Sequence, residues 1–312
     1  MPCDPGAPLF VQADFGLDRY LEPKLVEIQG FPSLYAYQPL MADCYREAFG
    51  IGDHLQTLPG NLSLERYQFL LGQSIVGGSN PENVVLLEIQ PQKQKTRADF
   101  RRTEQIFGVR TVDVETVRKQ GNKLFYEYDG RLIPIDRIYN RVIVDEVERK
   151  GIHLPFDWRD DLDVEWAGHP GWFFRLSKFS LPYLTHTAVP ETQFLHLASG
   201  VDDPAEWVLK PLYSFAGTGV IVGPTQAQID AVPEDRRADY ILQKRVDFHP
   251  VIETPHGAAK VEVRIMYLQY SGRMNMVNTI IRMGRGTQMG VDFNKGLDWV
   301  GASAAFIEGS SQ

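Results

Sequence analysis

Cysteine is nearly absent. Cys3 and Cys44 are the only two in 312 residues, too few for a disulfide framework or a cysteine-rich zinc site, and such a chain fits a reducing compartment. Long apolar runs are absent too, so no window is suited to span a bilayer, and the opening MPCDPGAPLF lacks the basic region and apolar core of a secretory leader. The expectation is a cytoplasmic protein with no membrane partner. Positive charge is in deficit: 32 Lys and Arg against 40 Asp and Glu leave a formal charge of -8 and a pI near 5.4. That balance argues against nucleic acid as the main partner, because phosphate-backbone binding needs a net basic face. RMGRG at 282–286 is a local exception. The seven histidines show no HExxH, paired or triad-like spacing, and no GxSxG is present, so serine or cysteine hydrolase chemistry has no support.

What is present is an ordinary globular composition, 43% hydrophobic and 23% charged, in a chain long enough for about two domains or one elaborated domain. No internal repeat or low-complexity tract marks a linker. Residues 8–15 (PLFVQADF) and 24–29 (KLVEIQ) read as short strands, and 34–48 as a helix closing at Gly50. NVVLLEIQP is the continuous apolar run of a strand buried on both faces. The helix-like 97–107 and the strand VRTVDV follow it, which suggests a small α/β layer. Residues 122–129 and 132–138 flank Asp129-Gly130 as a hairpin; 151–175 read as irregular; from 206 onward β character dominates, with a second hairpin tip at Ser271-Gly272.

The stretch 207–220, WVLKPLYSFAGTGV, is the most informative. Lys210 ends an apolar run, and a turn bearing Gly217 and Gly219 follows it. An ammonium beside closely approaching backbone N–H groups suits a polyphosphate, although a hairpin with a surface lysine reads equally well. The spacing is neither GxxxxGK[ST] nor GxGxxG. Lys178, in WFFRLSKFSLP, likewise follows an aromatic-rich run, and a lysine is a compact charge for phosphate oxygens. Near the start, Glu27 and Gln29 share a strand face by alternation. If Asp14 lies on a neighbouring strand, the three form an all-oxygen set suited to Mg2+, or else three exposed polar residues on a hairpin. In the β-rich tail Glu262 and Arg264 share a face, as a surface ion pair or one wall of a charged cleft. Arg282, inside the apolar TIIRM, offers a planar fork for phosphate or carboxylate.

In their order these motifs resemble the ATP-grasp superfamily. Lys178 resembles its first lysine, and Lys210 with the loop 214–219 its second lysine and lid. YILQKRV resembles its hinge; KVEVRIMYL, TIIRM and VDFNKG resemble its later strands and Asn-bearing loop. The acidic metal block appears at the N-terminus instead, in QADFGLD and PKLVEIQGFPSLYAY. That is the order of the circularly permuted ATP-grasp proteins, the group typified by the synthetase domain of glutathionylspermidine synthase. IDRIYNRV and HPGWFFRLSKFSLPYL resemble its connecting blocks. Two positions depart from the pattern: Gln29 stands for the usual asparagine, and Lys244 for the acidic residue after the hinge glutamine.

The resemblance implies an α/β (α+β) protein with the ATP-grasp fold in permuted order, a small parallel pre-ATP-grasp-like layer and an antiparallel lid. Residues 1–60 would be the metal-binding strands and helix, 61–150 the α/β domain, 151–247 the lid and hinge, and 248–312 the remaining core strands. It implies a C–N ligase that uses ATP and Mg2+, activates a small-molecule or peptide carboxylate as an acylphosphate, passes it to an amine and releases ADP. Lys178, Lys210, Ser214, Gly217, Gly219, Gln243 and Val246 would contact ATP, and Asp14, Glu27 and Gln29 the metal. Arg282 would stabilise the transferring phosphoryl group with Arg264 in support, while Arg141, Ser33 and Asn294 are candidate substrate contacts. Gln29 and Lys244 leave open a nucleotide-binding module without ligation, and a purely structural or interaction protein is the third alternative. The acid, the amine and the oligomeric state are not legible.

Overall fold

The computed structural model describes residues 6–214, 217–286 and 289–309, and in it both ends of the chain meet in one antiparallel sheet. The strands run in the order Gly301–Ala304, Arg273–Gly284, Ala259–Tyr270, Phe10–Leu17 and Pro23–Gln29, with the short Pro250–Ile252 added beside Ala259–Tyr270. The two longest form a hairpin closed by Ser271 (φ 51) and Gly272 (φ 74). Two left-handed residues in a two-residue loop match the right-handed twist of the strands they join. Phe10–Leu17 therefore lies between a strand from the tail and one from the N-terminal region. Asp14 faces Arg264 on one side and Glu27 on the other. Between the pairs Asp14/Glu27 and Phe15/Leu25 the register slips by one residue, so Val26 is bulged out of the ladder.

The helix Tyr37–Phe49 is tied to this sheet by Gln38, which donates to Thr279 O at 3.0 Å and Ser303 O at 3.3 Å. One sheet face buries Phe10, Met266, Leu268, Val277 and Ile280 against the helix Leu64–Ile75. The first helix ends at Gly50 in the left-handed conformation, as the sequence suggests. The second was not expected. Its signal was a Ser63 hydroxyl accepting the Arg66 N–H and apolar residues at Tyr67, Leu70, Leu71 and Ile75, one helical stripe.

A second, fully parallel sheet has the order Glu165–Ala167, Arg137–Asn140, Val84–Glu88, Arg110–Asp113. Every residue of Val84–Glu88 is buried, in line with its continuous apolar sequence, and the helix Arg97–Phe107 falls where the sequence places it. Two readings need correction here. Residues 132–138 are not one strand: Arg131–Ile135 closes the hairpin with Lys123–Tyr128, whereas Arg137–Asn140 crosses into the parallel sheet after Asp136 donates its N–H to Asn83 O at 2.8 Å. The region 151–175 is not wholly irregular either; it supplies the edge strand Glu165–Ala167 and the helical turn Trp172–Arg175, preceded by an unforeseen helix, Val144–Lys150. Each is short, and a few residues cannot display a period.

A third sheet, antiparallel in the order Thr192–Phe194, Tyr240–Lys244, Trp207–Pro211, Ile221–Val222, packs Leu212 and Ile241, with Leu181, against Ala13 and Leu25 of the central sheet. The architecture is thus mixed α/β with separate antiparallel and parallel sheets, of the α+β class. Among the described residues no helix is long and apolar enough to cross a membrane.

Candidate functional site

The first, antiparallel sheet brings Asp14, Glu262, Arg264 and Arg282 together on neighbouring strands. Asp14, 1% exposed, accepts from Arg264 through two bonds, Nε to Oδ1 and Nη2 to Oδ2, both 2.6 Å. Arg282 Nη2 donates to Asp14 Oδ2 at 2.6 Å and also to Glu262 Oε1. Register dictates this arrangement, since Asp14 is opposite Arg264 and Glu262 opposite Arg282. Burial alone would push the Asp14 carboxyl up, but the two guanidinium groups outweigh it and hold it below the ordinary value. Glu262 is 3% exposed, so the tail charges form a buried wall rather than a surface ion pair. The Nε of Arg282 is buried and has no hydrogen-bond partner.

Two lysines, one in the turn Lys178–Tyr183 and one in the strand Trp207–Pro211, approach the strand Pro23–Gln29. Lys210, near the end of Trp207–Pro211, donates to Gln243 Oε1 at 2.5 Å and to Val26 O at 3.0 Å. The bulge is what frees that carbonyl, because a bulged residue leaves the ladder. Gln243 also donates to Leu25 O at 3.4 Å, so its amide ties the third sheet to the central one. Burial pushes the Lys210 ammonium down to about 8, with Glu27 opposing the shift and Lys178 adding to it. Lys178 opens the turn Lys178–Tyr183, donates to Ser214 O at 2.6 Å and lies 3.4 Å from Glu27 Oε1. Both lysines are 6% exposed, which is rare for lysines without a role, since the charge must be desolvated.

Glu27, Gln29, Lys178 and Ser214 line one cavity of about 20 Å3, together with Phe173 and Leu176. That volume holds about one water. The Lys178–Ser214 hydrogen bond joins two of the cavity's lining residues. The turn beyond it carries Gly217 (φ 78) and Gly219 (φ 72), both left-handed; residues 215 and 216 of that loop lie outside the described residues. The larger hollows are elsewhere. One of about 790 Å3 is lined by Phe156, Trp158 and Phe174, and one of about 510 Å3 by Phe179, Tyr183 and Phe194. Neither contains a member of the charged cluster. We place the site by its chemistry, not by size.

Four cations (Arg264, Arg282, Lys178, Lys210) face three carboxylates (Asp14, Glu27, Glu262), which leaves one positive charge in excess. Such a cluster invites an anion and repels a bare cation. Among the described residues no three His, Cys, Asp or Glu side chains form a metal-binding group. An Mg2+ arriving with phosphate oxygens is compatible with the residues present, because it needs few protein ligands. Glu27 and Gln29 both line the cavity, and the Gln29 side chain donates its nitrogen to Gln12 Oε1 at 3.3 Å. Asp14 lies behind them with three guanidinium bonds already made.

Other candidates lie apart from this cluster. Arg141, 3% exposed, donates to Pro32 O and to Thr96 Oγ1 (3.3 Å). Asn294 Oδ1 accepts the N–H groups of Arg285 and Gly286, both at 2.9 Å, which shapes a loop. Ser33 contributes its carbonyl to Gln12 Nε2 at 2.8 Å. Val246 is half-buried just past the strand Tyr240–Lys244, where Lys244 and Arg245 N–H groups already donate to Glu191 O and Glu206 O. Sequence reasoning missed two buried carboxylates, Glu88 and Asp99. The clue for Glu88 was an acidic residue inside the apolar run VVLLEI; nothing flagged Asp99.

No family model matches this sequence, and no curated protein matches it. The site's meaning therefore rests on its own geometry.

Proposed function

We propose that the protein is an ATP-dependent, Mg2+-dependent ligase of the circularly permuted ATP-grasp kind, joining a carboxylate to an amine and releasing ADP. The observation that carries this reading is convergence. Asp14 and Glu27 from the N-terminal strands, Lys178 from the turn Lys178–Tyr183, Lys210 from the third sheet, and Arg264 and Arg282 from the tail gather around Pro23–Gln29 in a cluster with excess positive charge.

Phosphoryl transfer asks for positioning and charge neutralisation more than covalent chemistry from the protein. Lys178 and Lys210 would bind the α- and β-phosphates. Glu27 and Gln29, backed by Asp14, would hold Mg2+, whose charge would offset that of the phosphate oxygens. Arg282 has an unpartnered buried Nε–H to offer a transferring phosphoryl group, and Arg264 would fix Asp14 from the opposite side. Gly217 and Gly219 would bring lid backbone close and exclude water from a reactive acylphosphate. The turn Trp172–Arg175 links the cavity to the hollow of about 790 Å3, since Phe173 lines one and Phe174 the other; a second substrate would approach along it.

Incubating the protein with Mg-ATP and panels of amino acids, short peptides and polyamines, while following ADP, tests the reading; release should require both an acid and an amine. A nucleotide-binding module without ligation is the second reading, favoured by Gln29 and by Lys244, which pairs with Glu206 at 3.4 Å and stands over the Trp207 ring. It requires stabilisation by Mg-ATP without ADP release under any pair of substrates.

A further inference from the structure

In an open parallel sheet the customary ligand position is the crevice beyond the carboxyl ends of two strands whose connections leave in opposite directions. Here the chain runs from Val84–Glu88 outward to Arg110–Asp113, then returns to the other side at Arg137–Asn140, so the crevice opens between Glu88 and Arg141. Arg141 N–H donates to Leu87 O at 2.9 Å, which pins it at that point. The crevice is filled by the chain's own segment 31–37. Arg141 donates to Pro32 O, its guanidinium lies 4.7 Å from the Phe31 ring centre and 5.3 Å from that of Phe100, and its Nε stands 3.7 Å from Glu88 Oε2. Asp99, fully buried, accepts the N–H groups of Leu34 (3.1 Å), Ala36 (3.0 Å) and Tyr37 (2.9 Å) and so caps a helix that has no side-chain cap of its own.

That segment continues, through Gly30, the strand that bears Glu27 and Gln29. We infer that the parallel layer serves as a clamp on the metal-binding strand, with Arg141 a positioning residue that sets Glu27 and Gln29 by gripping Phe31 and Pro32, and with Asp99 as the second jaw. The inference rests on the nucleotide reading of the cavity and changes the expected role of Arg141, whose fork is engaged within the protein rather than presented to a substrate carboxylate. A lysine cannot replace it, because one ammonium lacks the planar fork that donates to Pro32 and Thr96 while stacking on Phe31.

The test compares wild type, Arg141→Lys and the milder Thr96→Val for ATP binding by calorimetry, with Mg2+ and with EDTA, and for amide exchange at residues 34–38. The gain in ATP affinity that Mg2+ confers should fall about tenfold in Arg141→Lys and less in Thr96→Val, because small displacements of first contacts are costly. Binding in EDTA, carried by the two lysines, should stay within about twofold. Exchange at 34–38 should quicken in both variants. Equal Mg2+ gains and equal exchange in all three proteins would overturn the clamp, as would a loss of ATP affinity of the same size with and without Mg2+. If wild type binds no ATP in either buffer, the nucleotide reading fails, and the exchange measurement alone decides whether Arg141 holds the segment.

Discussion

Asp14 and Arg264 come from opposite parts of the chain and face each other on adjacent strands, joined by two parallel bonds of 2.6 Å. Removing the carboxylate strands the guanidinium groups of Arg264 and Arg282. Asp14→Asn is expected to lose roughly 3–5 kcal/mol in chemical denaturation, the usual cost of breaking one side of a buried pair. Because the folded Asp14 carboxyl titrates below its unfolded value, its contribution is present above the ordinary carboxylate range and is lost as pH falls through the folded value. The variant's stability should therefore depend less steeply on acid than that of wild type.

If the proposed function holds, Lys210 makes nucleotide affinity sensitive to alkali. Its folded ammonium titrates near 8 because burial removes water that charged polyphosphate would replace with opposite charge. A bound triphosphate favours the protonated form, so binding takes up a proton above that value. Affinity measured by calorimetry should be flat below pH 8 and fall by up to about tenfold per pH unit above it. Lys210→Met should be weak at every pH and lack the break.

The turn after the strand Trp207–Pro211 depends on Gly219. Its φ is +72, and a Cβ there would stand 2.9 Å from Pro211 Cγ. Gly219→Ala is expected to cost about 1–2 kcal/mol locally through the left-handed conformation alone. Mg-ATP affinity should drop with little change in the melting temperature of the rest, since the turn is at the surface.

Glu88 works against the fold at neutral pH. Burial raises its carboxyl to about 7, with Arg141 opposing. A carboxyl whose folded value is raised contributes fully below its unfolded value of about 4.5, and the contribution is lost as pH rises to about 7. Wild-type melting temperature should decline over that window relative to Glu88→Gln, in which the decline is removed. Parallel curves would contradict the assignment.

Periodicity and turn chemistry carried much of the fold. The alternation that puts Glu27 and Gln29 on one strand face, the apolar run at Val84–Glu88 and the Ser271-Gly272 tip are local patterns, and the described structure has each of these features. What stayed hidden depends on distant partners. The Val26 bulge that presents a carbonyl to Lys210 arises from register, which no local pattern encodes. The grip of Asp99 on Leu34, Ala36 and Tyr37 joins residues more than sixty apart. Arg141 stood only as a candidate substrate contact, because its burial and the neighbourhood of Glu88 are visible only once the parallel sheet has formed.

The most direct measurement is a calorimetric titration of Mg-ATP into wild type and Lys210→Met, paired with a thermal melt of each. Wild type should bind one equivalent and gain melting temperature, since a ligand of the folded state alone must stabilise it, while Lys210→Met keeps its fold and loses most of the heat. Mg2+ without nucleotide should leave both unmoved. No binding by folded wild type at millimolar Mg-ATP, or equal binding by both proteins, would contradict a polyphosphate site on these lysines.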